Sequence, residues 1–207
     1  MKKRKLINWL CLLGILSVIF YLLHDVIGSI YYPNYNWLSQ AVSDLTATDA
    51  DSFIVSSNLS KIYGIFTCVC TALLCILVEN HNKQLKLGVY LFTIMSYTSA
   101  IGYSLFPLSS SGYDGSIVSF IHVYIVTSTV VILSIASLIL MAIGFFKEKR
   151  KSYGIIAITA LILMFIGAIG SANVPKEYFG LVERFSTYSA VIFTGVLGVY
   201  GFNISEY

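Results

Sequence analysis

The chain has 207 residues, 57% of them hydrophobic and only 11% Asp, Glu, Lys or Arg, with a net charge of +3. A soluble domain carries about 25% charged residues, so too little polar surface is present to cover a water-soluble domain. A disordered tail, charge-rich and poor in aromatics, is excluded as well, and the small net charge gives no basis for a nucleic-acid partner.

What remains is an all-α integral membrane protein. A bilayer core of roughly 30 Å needs about 20 apolar residues in helix. Six stretches qualify: 6–26, 62–78, 87–108, 117–146, 153–174 and 185–202. The expectation is a single domain over 1–207, a bundle of six transmembrane helices. The first stretch follows Met-Lys-Lys-Arg-Lys, but its apolar run exceeds that of a signal peptide and no A-x-A-like site follows. It reads as an uncleaved helix.

The segment after the first span reads Tyr-Pro-Asn-Tyr-Asn-Trp-Leu-Ser-Gln-Ala-Val-Ser-Asp-Leu-Thr. Tyr31, Tyr32, Tyr35 and Trp37 suit an interfacial aromatic belt. Asn36 is a good N-cap. Trp37, Leu38, Ala41, Val42 and Leu45 then recur at helical spacing, with Gln40, Ser43 and Asp44 on the other face. This predicts a short interfacial helix over 36–47. Its polar stripe either faces water or folds inward over the bundle.

The second span carries Cys68, Cys70 and Cys75, and the first carries Cys11. All four lie in apolar runs, which argues for small packing residues rather than disulfides or a metal set. The fourth stretch is longer than a span needs and must tilt or project. Gly167 and Gly170 on the fifth, and Gly195, Gly198 and Gly201 on the sixth, mark faces where helices approach closely. Pro107 and Pro175 sit at span ends, so the broken helices of an inverted-repeat transporter are not seen.

Orientation follows from the basic residues. With the N-terminus in the cytoplasm, the inner side holds Lys2, Lys3, Arg4, Lys5, Lys83, Lys86, Lys147, Lys149, Arg150 and Lys151. The outer side holds Lys61, Lys176 and Arg184. This ten-to-three bias predicts a multi-pass cell-membrane protein with both termini cytoplasmic.

Polar groups within spans collect at the outer boundary. His24 and Asp25 end the first span, Ser104 lies late in the third, His122 early in the fourth, and Glu183 and Arg184 open the sixth. Ionisable groups in spans are functional candidates, although at a boundary they can also simply be wet. No G-x-x-x-x-G-K-[ST], H-E-x-x-H or G-x-S-x-G is present. His81 is cytoplasmic in this topology, so three histidines cannot meet at the outer face to hold zinc. Neither a metal nor a cofactor is expected.

Three stretches carry a resemblance: Val42-Ser43-Asp44-Leu45-Thr46-Ala47, Leu105-Phe106-Pro107 followed by a span with His122, and Gly180-Leu181-Val182-Glu183-Arg184. Together they resemble the bacterial and archaeal membrane family catalogued as domain of unknown function 998. That family often shows Ile-Ser-Glu-Leu-Gly-Ala after its first span, so here Asp44 stands for the Glu and Thr46 for the Gly. The resemblance implies a multi-span bundle without established biochemistry. It draws attention to Asp44, His122, Glu183 and Arg184.

Three functions remain open. One is a non-enzymatic protein that binds a lipid or a membrane partner through a polar pocket at the outer leaflet. Another is a membrane-embedded hydrolase or transferase acting on lipid head groups, with His122 as general base. A small transporter is the third, disfavoured because no ionisable group lies at mid-membrane. The expected site pairs Arg184 with a carboxylate, Asp44, and points His122 to the same spot beside Asp25 or Ser104. Arg184 would then anchor an anionic or polar head group.

Overall fold

The structure is a computed structural model and describes residues 5–204. Lys2, Lys3 and Arg4, used above for orientation, lie outside the described residues. The described residues are all-α, without a strand. The helices are α1 (Leu6–Leu10), α2 (Leu13–Tyr31), α3 (Phe53–Leu77), α4 (Lys83–Leu105), α5 (Ile117–Phe120), α6 (Thr127–Lys147), α7 (Lys151–Gly170) and α8 (Phe179–Asn203). Short 3₁₀ turns cover Val42–Thr46 and Lys176–Tyr178, and a π-helical segment, Ile121–Val126, joins α5 to α6.

Five of these units are long and apolar enough to cross a membrane: Leu6–Tyr31, Phe53–Leu77, Ile117–Lys147, Lys151–Gly170 and Lys176–Asn203. The third predicted span, now α4, is long enough but too polar to join them, with Lys83, Lys86, Thr93, Ser96, Thr98, Ser99 and Ser104 along it.

Burial is inverted relative to a soluble protein. Ile19, Ile94, Ile132 and Ile162 point outward, whereas Ser17, Ser134 and Ser137 are fully buried. Small residues let the helices close. A Cβ on Gly144 would stand 2.5 Å from the Leu85 backbone nitrogen, so α4 and α6 meet backbone to backbone there. The core that results gathers Leu74, Phe92, Leu138, Phe145, Phe193 and Leu197. All four cysteines are free thiols, and Cys11 and Cys70 are packed in this core.

Three sequence expectations shift. α3 starts at Phe53 rather than 62, because its start packs on the Val42–Thr46 turn: Ser56 is buried, and Ser52 Oγ, just before the helix, donates to the Leu45 carbonyl at 2.8 Å. α8 starts at Phe179 rather than 185, because its first turns hold the loop after α2 instead of facing lipid. The interfacial helix predicted over 36–47 is replaced by a turn at 36–40 and the 3₁₀ turn at 42–46. Asn36 does cap, its Oδ1 accepting from Leu38 N at 3.0 Å. However, the carbonyls of Trp37, Gln40 and Ala41 are taken by side chains, so a helical ladder cannot propagate. Val42 and Leu45 are buried as expected, but Trp37 and Leu38 stay partly exposed, and Asp44, expected on the polar stripe, is buried.

At the opposite end of the bundle, Glu148 fastens α6 to the start of α4. His81 Nδ1 lies 2.8 Å from its Oε2, and Asn82 donates to its Oε1 through both backbone and side chain.

Candidate functional site

Every candidate residue lies at the end of the bundle formed by the segments 32–52, 106–116 and 171–178. Arg184 is 2% exposed on α8 and Asp25 is fully buried on α2. The guanidinium grips the carboxylate in a fork, Nε to Oδ2 at 2.9 Å and Nη2 to Oδ1 at 2.8 Å. This corrects the expected Arg184–Asp44 pair.

The rest of the guanidinium is equally committed. Nη2 also donates to Tyr35 Oη at 2.8 Å, and Nη1 donates to the carbonyls of Trp37, Gln40 and Gly180 at 2.9–3.0 Å. The Trp37 ring covers it, 4.2 Å from Cζ to centroid. All five N–H donors are therefore used within the chain. Asp25 is saturated too, accepting from Trp37 Nε1 at 3.1 Å and from Tyr188 Oη besides the fork.

Local sequence explains how the loop reaches Arg184. A Cβ on Gly180 would collide with the Gln40 backbone, so only glycine lets the loop lie on the first turn of α8. Leu181 N then donates to the Leu38 carbonyl at 2.9 Å.

Asp44 has other partners. Its Oδ2 accepts from Ser111 Oγ at 2.7 Å and from Ala41 N at 3.2 Å, and its Oδ1 accepts from Gly112 N at 3.1 Å. It ties the loop after α2 to the loop after α4, where Thr48 N and Asp49 N also donate to the carbonyls of Leu108 and Ser109. Burial raises the Asp44 carboxyl above its ordinary value, and the bonds from Ser111, Gly112 and Ala41 offset this only in part.

His122 is 5% exposed and sits in the π-helical segment. The local widening has a visible partner: Thr127, through both its backbone N–H and its Oγ1, donates to the His122 carbonyl. Such segments recur at functional sites. His122 Nδ1 lies 2.6 Å from the Phe106 carbonyl. Pro107 disfavours helix at Phe106, ends α4 at Leu105 and so frees that carbonyl. A carbonyl can only accept, so Nδ1 carries the proton. In the neutral ring Nε2 is then an acceptor, and it has no hydrogen-bond partner among the described residues. The Tyr103 ring packs beside it, centroids 4.7 Å apart.

Glu183 is half-buried and has no ion-pair partner among the described residues. Thr187 Oγ1 donates to its Oε1 at 2.8 Å and Val42 N to its Oε2 at 3.5 Å. Ser104 faces outward and is exposed, which takes it out of the cluster.

The candidates therefore form two sets rather than one pocket around Arg184. Asp25 and Arg184 are spent on each other and on the loop. His122 and Glu183 keep open acceptor atoms on either side of the Val42–Thr46 turn, where Val42 touches Glu183 and Asp44 stands within electrostatic reach of His122. Two apolar grooves, along α4 at Thr93, Tyr97 and Ile101 and between α2 and α8 at Ile15, Ile19 and Ile192, are lined by none of these residues.

Sequence reasoning missed Tyr35, Trp37 and Tyr188 as partners of the ion pair, and Ser111 and Gly112 as partners of Asp44. The available signal for the first group was the five donors of a span arginine, which demand acceptors close by. Tyr35 and Trp37 were instead assigned to the aromatic belt.

No curated protein and no solved structure matches the chain. The profile of the family described as "Protein of unknown function (DUF998)" matches residues 15–200, which include all three resembling stretches, and the chain belongs to that family.

Proposed function

We propose that the protein is a six-span protein of the cell membrane that binds a polar lipid head group at its outer-leaflet end. The span added to those five is α4: its 23 residues rise about 34 Å, enough for a bilayer, it packs against α3 and α6, and Thr93 and Ser96 donate their hydroxyls to its own Val89 and Phe92 carbonyls. The basic residues Lys83, Lys86, Lys147, Lys149, Arg150 and Lys151 gather at one end of the bundle. They support a cytoplasmic placing of that end and of both termini.

The observation that carries the head-group reading is the 2.6 Å contact of His122 Nδ1 with the Phe106 carbonyl. It leaves Nε2 as an open acceptor on a largely buried ring. An open polar atom costs free energy there unless something pairs with it, and a head group at the same depth is the nearest source. The membrane-enzyme reading, with His122 as general base, uses the same nitrogen. It ranks second because it also needs a nucleophile or a positioned water. Of the nearby serines, Ser104 is exposed and Ser111 is bound to Asp44.

The test is mass-spectrometric identification of the lipids that stay with the purified protein. One lipid class, enriched over bulk membrane and lost in His122→Ala, is the expected result. A retained lipid profile equal to that of the bulk membrane overturns the reading.

A further inference from the structure

Two groups with open atoms lie next to the Val42–Thr46 turn, His122 Nε2 and the Glu183 carboxylate, and both are acceptors, which constrains a ligand held there. We infer that the head group bound here is a hydrogen-bond donor, carrying hydroxyl or ammonium groups, rather than a phosphate recognised by arginine. The inference rests on the head-group reading above and narrows its chemistry.

Among the described residues Arg184 is the only arginine within a span, and each of its N–H groups already points at a protein oxygen. A phosphate at Arg184 would have to displace a buried carboxylate held by two bonds of 2.8 and 2.9 Å. Asp25, with four donated bonds, and Asp44, with three, have little left to offer a cation.

Two groups remain. His122 Nε2 is held in its acceptor form by the proton on Nδ1. Glu183 receives one good bond, from Thr187, and one at the limit of reach, from Val42. Both flank the 3₁₀ turn that begins at Val42, where two residues rise about 4 Å. Tyr103 bridges the gap: its ring packs on His122 and its phenol lies within electrostatic reach of Glu183. A neutral acceptor and a carboxylate without an ion-pair partner among the described residues, both at this end of the bundle, suit a donor with two or more N–H or O–H groups. A phosphate oxygen would meet only repulsion and an unsatisfied lone pair.

The experiment uses the full chain in nanodiscs of phosphatidylcholine doped with one of three lipids, with bound lipid counted by native mass spectrometry. Phosphatidylethanolamine and a diglycosyl diacylglycerol carry donors. Phosphatidic acid offers phosphate, and the phosphatidylcholine host has the charges of phosphatidylethanolamine without its N–H groups. A preference of about tenfold for either donor lipid over the host is the expected result. His122→Ala reduces the preference for both, and Glu183→Gln, which keeps an acceptor but no charge, reduces it selectively for the ammonium lipid. If Glu183→Gln reduces both alike, hydroxyl donation to the carboxylate is the shared chemistry, and the inference stands. Preference for phosphatidic acid, or none for donors over the host while lipid is still bound specifically, overturns the inference alone. Absence of any specific lipid overturns the head-group reading with it. An unfolding midpoint within a few degrees of the parent qualifies each variant, and Glu183→Gln serves where His122→Ala does not fold.

Discussion

Arg184 and Asp25 stand 159 positions apart in the chain and meet in a buried, two-pronged ion pair. Around them, Tyr35, Trp37 and Tyr188 and three backbone carbonyls complete the coordination. The pair joins α2 to α8 and pins the loop between α2 and α3 onto both.

Breaking a buried ion pair from one side strands the other charge and costs about 3–5 kcal/mol. Asp25→Ala and Arg184→Ala should each lower stability by that amount, and the double variant by less than the sum. Arg184→Lys should fare nearly as badly as Ala, because one ammonium cannot replace a fork that serves a carboxylate, a phenol and three carbonyls. Unfolding in detergent micelles measures all four. Parent-like stability of the lysine variant would mean that charge alone, not the fork, holds the loop.

How far this site was legible follows from depth and rotation. Depth along each span is set by counting residues, so composition and charge brought Asp25, Asp44, His122, Glu183 and Arg184 to one end. Choosing between Asp25 and Asp44 as the partner needs the rotation of each helix, and a usable signal was present. Gly14 and Gly198 touch where α2 crosses α8, and Gly195 lies against Val18. Asp25 lies eleven residues after Gly14, and Arg184 eleven before Gly195. At 3.6 residues per turn, eleven residues are within roughly 20° of three whole turns. The small-residue face of α8 therefore already aims Arg184 at α2. The loop over 36–47 was less legible. Its apolar spacing matches a helix, but its carbonyls are claimed by Arg184, which comes from α8, and by Tyr35 just before the segment. The π-helical segment at His122 leaves no periodicity signal, since its cause is the Thr127 contact with the His122 carbonyl.

The two ends of the bundle should respond to acid in opposite senses. Burial raises the Asp44 carboxyl from its ordinary 3.8, so the folded state holds this proton more tightly than the unfolded one. Its contribution is complete below 3.8 and is lost as pH rises through the folded value. At Glu148 burial also pushes upward, but the bonds from Asn82 and His81 outweigh it and leave the carboxyl below 4.5. That contribution is present above 4.5 and is lost as pH falls through the folded value. Hydrogen exchange, corrected for intrinsic rates and followed from pH 6 to pH 4, should show segment 79–83 loosening while 109–114 holds or tightens. Asp44→Asn should remove the pH response at 109–114 only. Loosening of 109–114 on acidification would contradict the assignment.

His24 presents the reverse of Arg184, a buried polar side chain with nothing to bond. It is 3% exposed, and neither Nδ1 nor Nε2 has a partner among the described residues. Gly28 lies against Ser56, Tyr21 against Tyr63 and Gly14 against Cys70. Each pair of numbers sums to 84, so the register of α2 on α3 sets His24 opposite Ser60. The flanking Ser56 Oγ and, three turns further along α3, Thr67 Oγ1 are also buried without partners. The ring packs edge-on against Tyr21 at 5.3 Å, a contact that a benzene ring would keep. Removing an unsatisfied buried group while keeping its shape is neutral to stabilising. His24→Phe should therefore raise stability, by about 1 kcal/mol or more, in the same unfolding assay as the ion-pair variants. His24→Ala should lower it through the cavity left beside Tyr21. Should the phenylalanine variant instead lose as much as the alanine one, the ring nitrogens must be bonded in the membrane-embedded protein. The seam between α2 and α3 would then hold a hydrogen-bonding guest of its own.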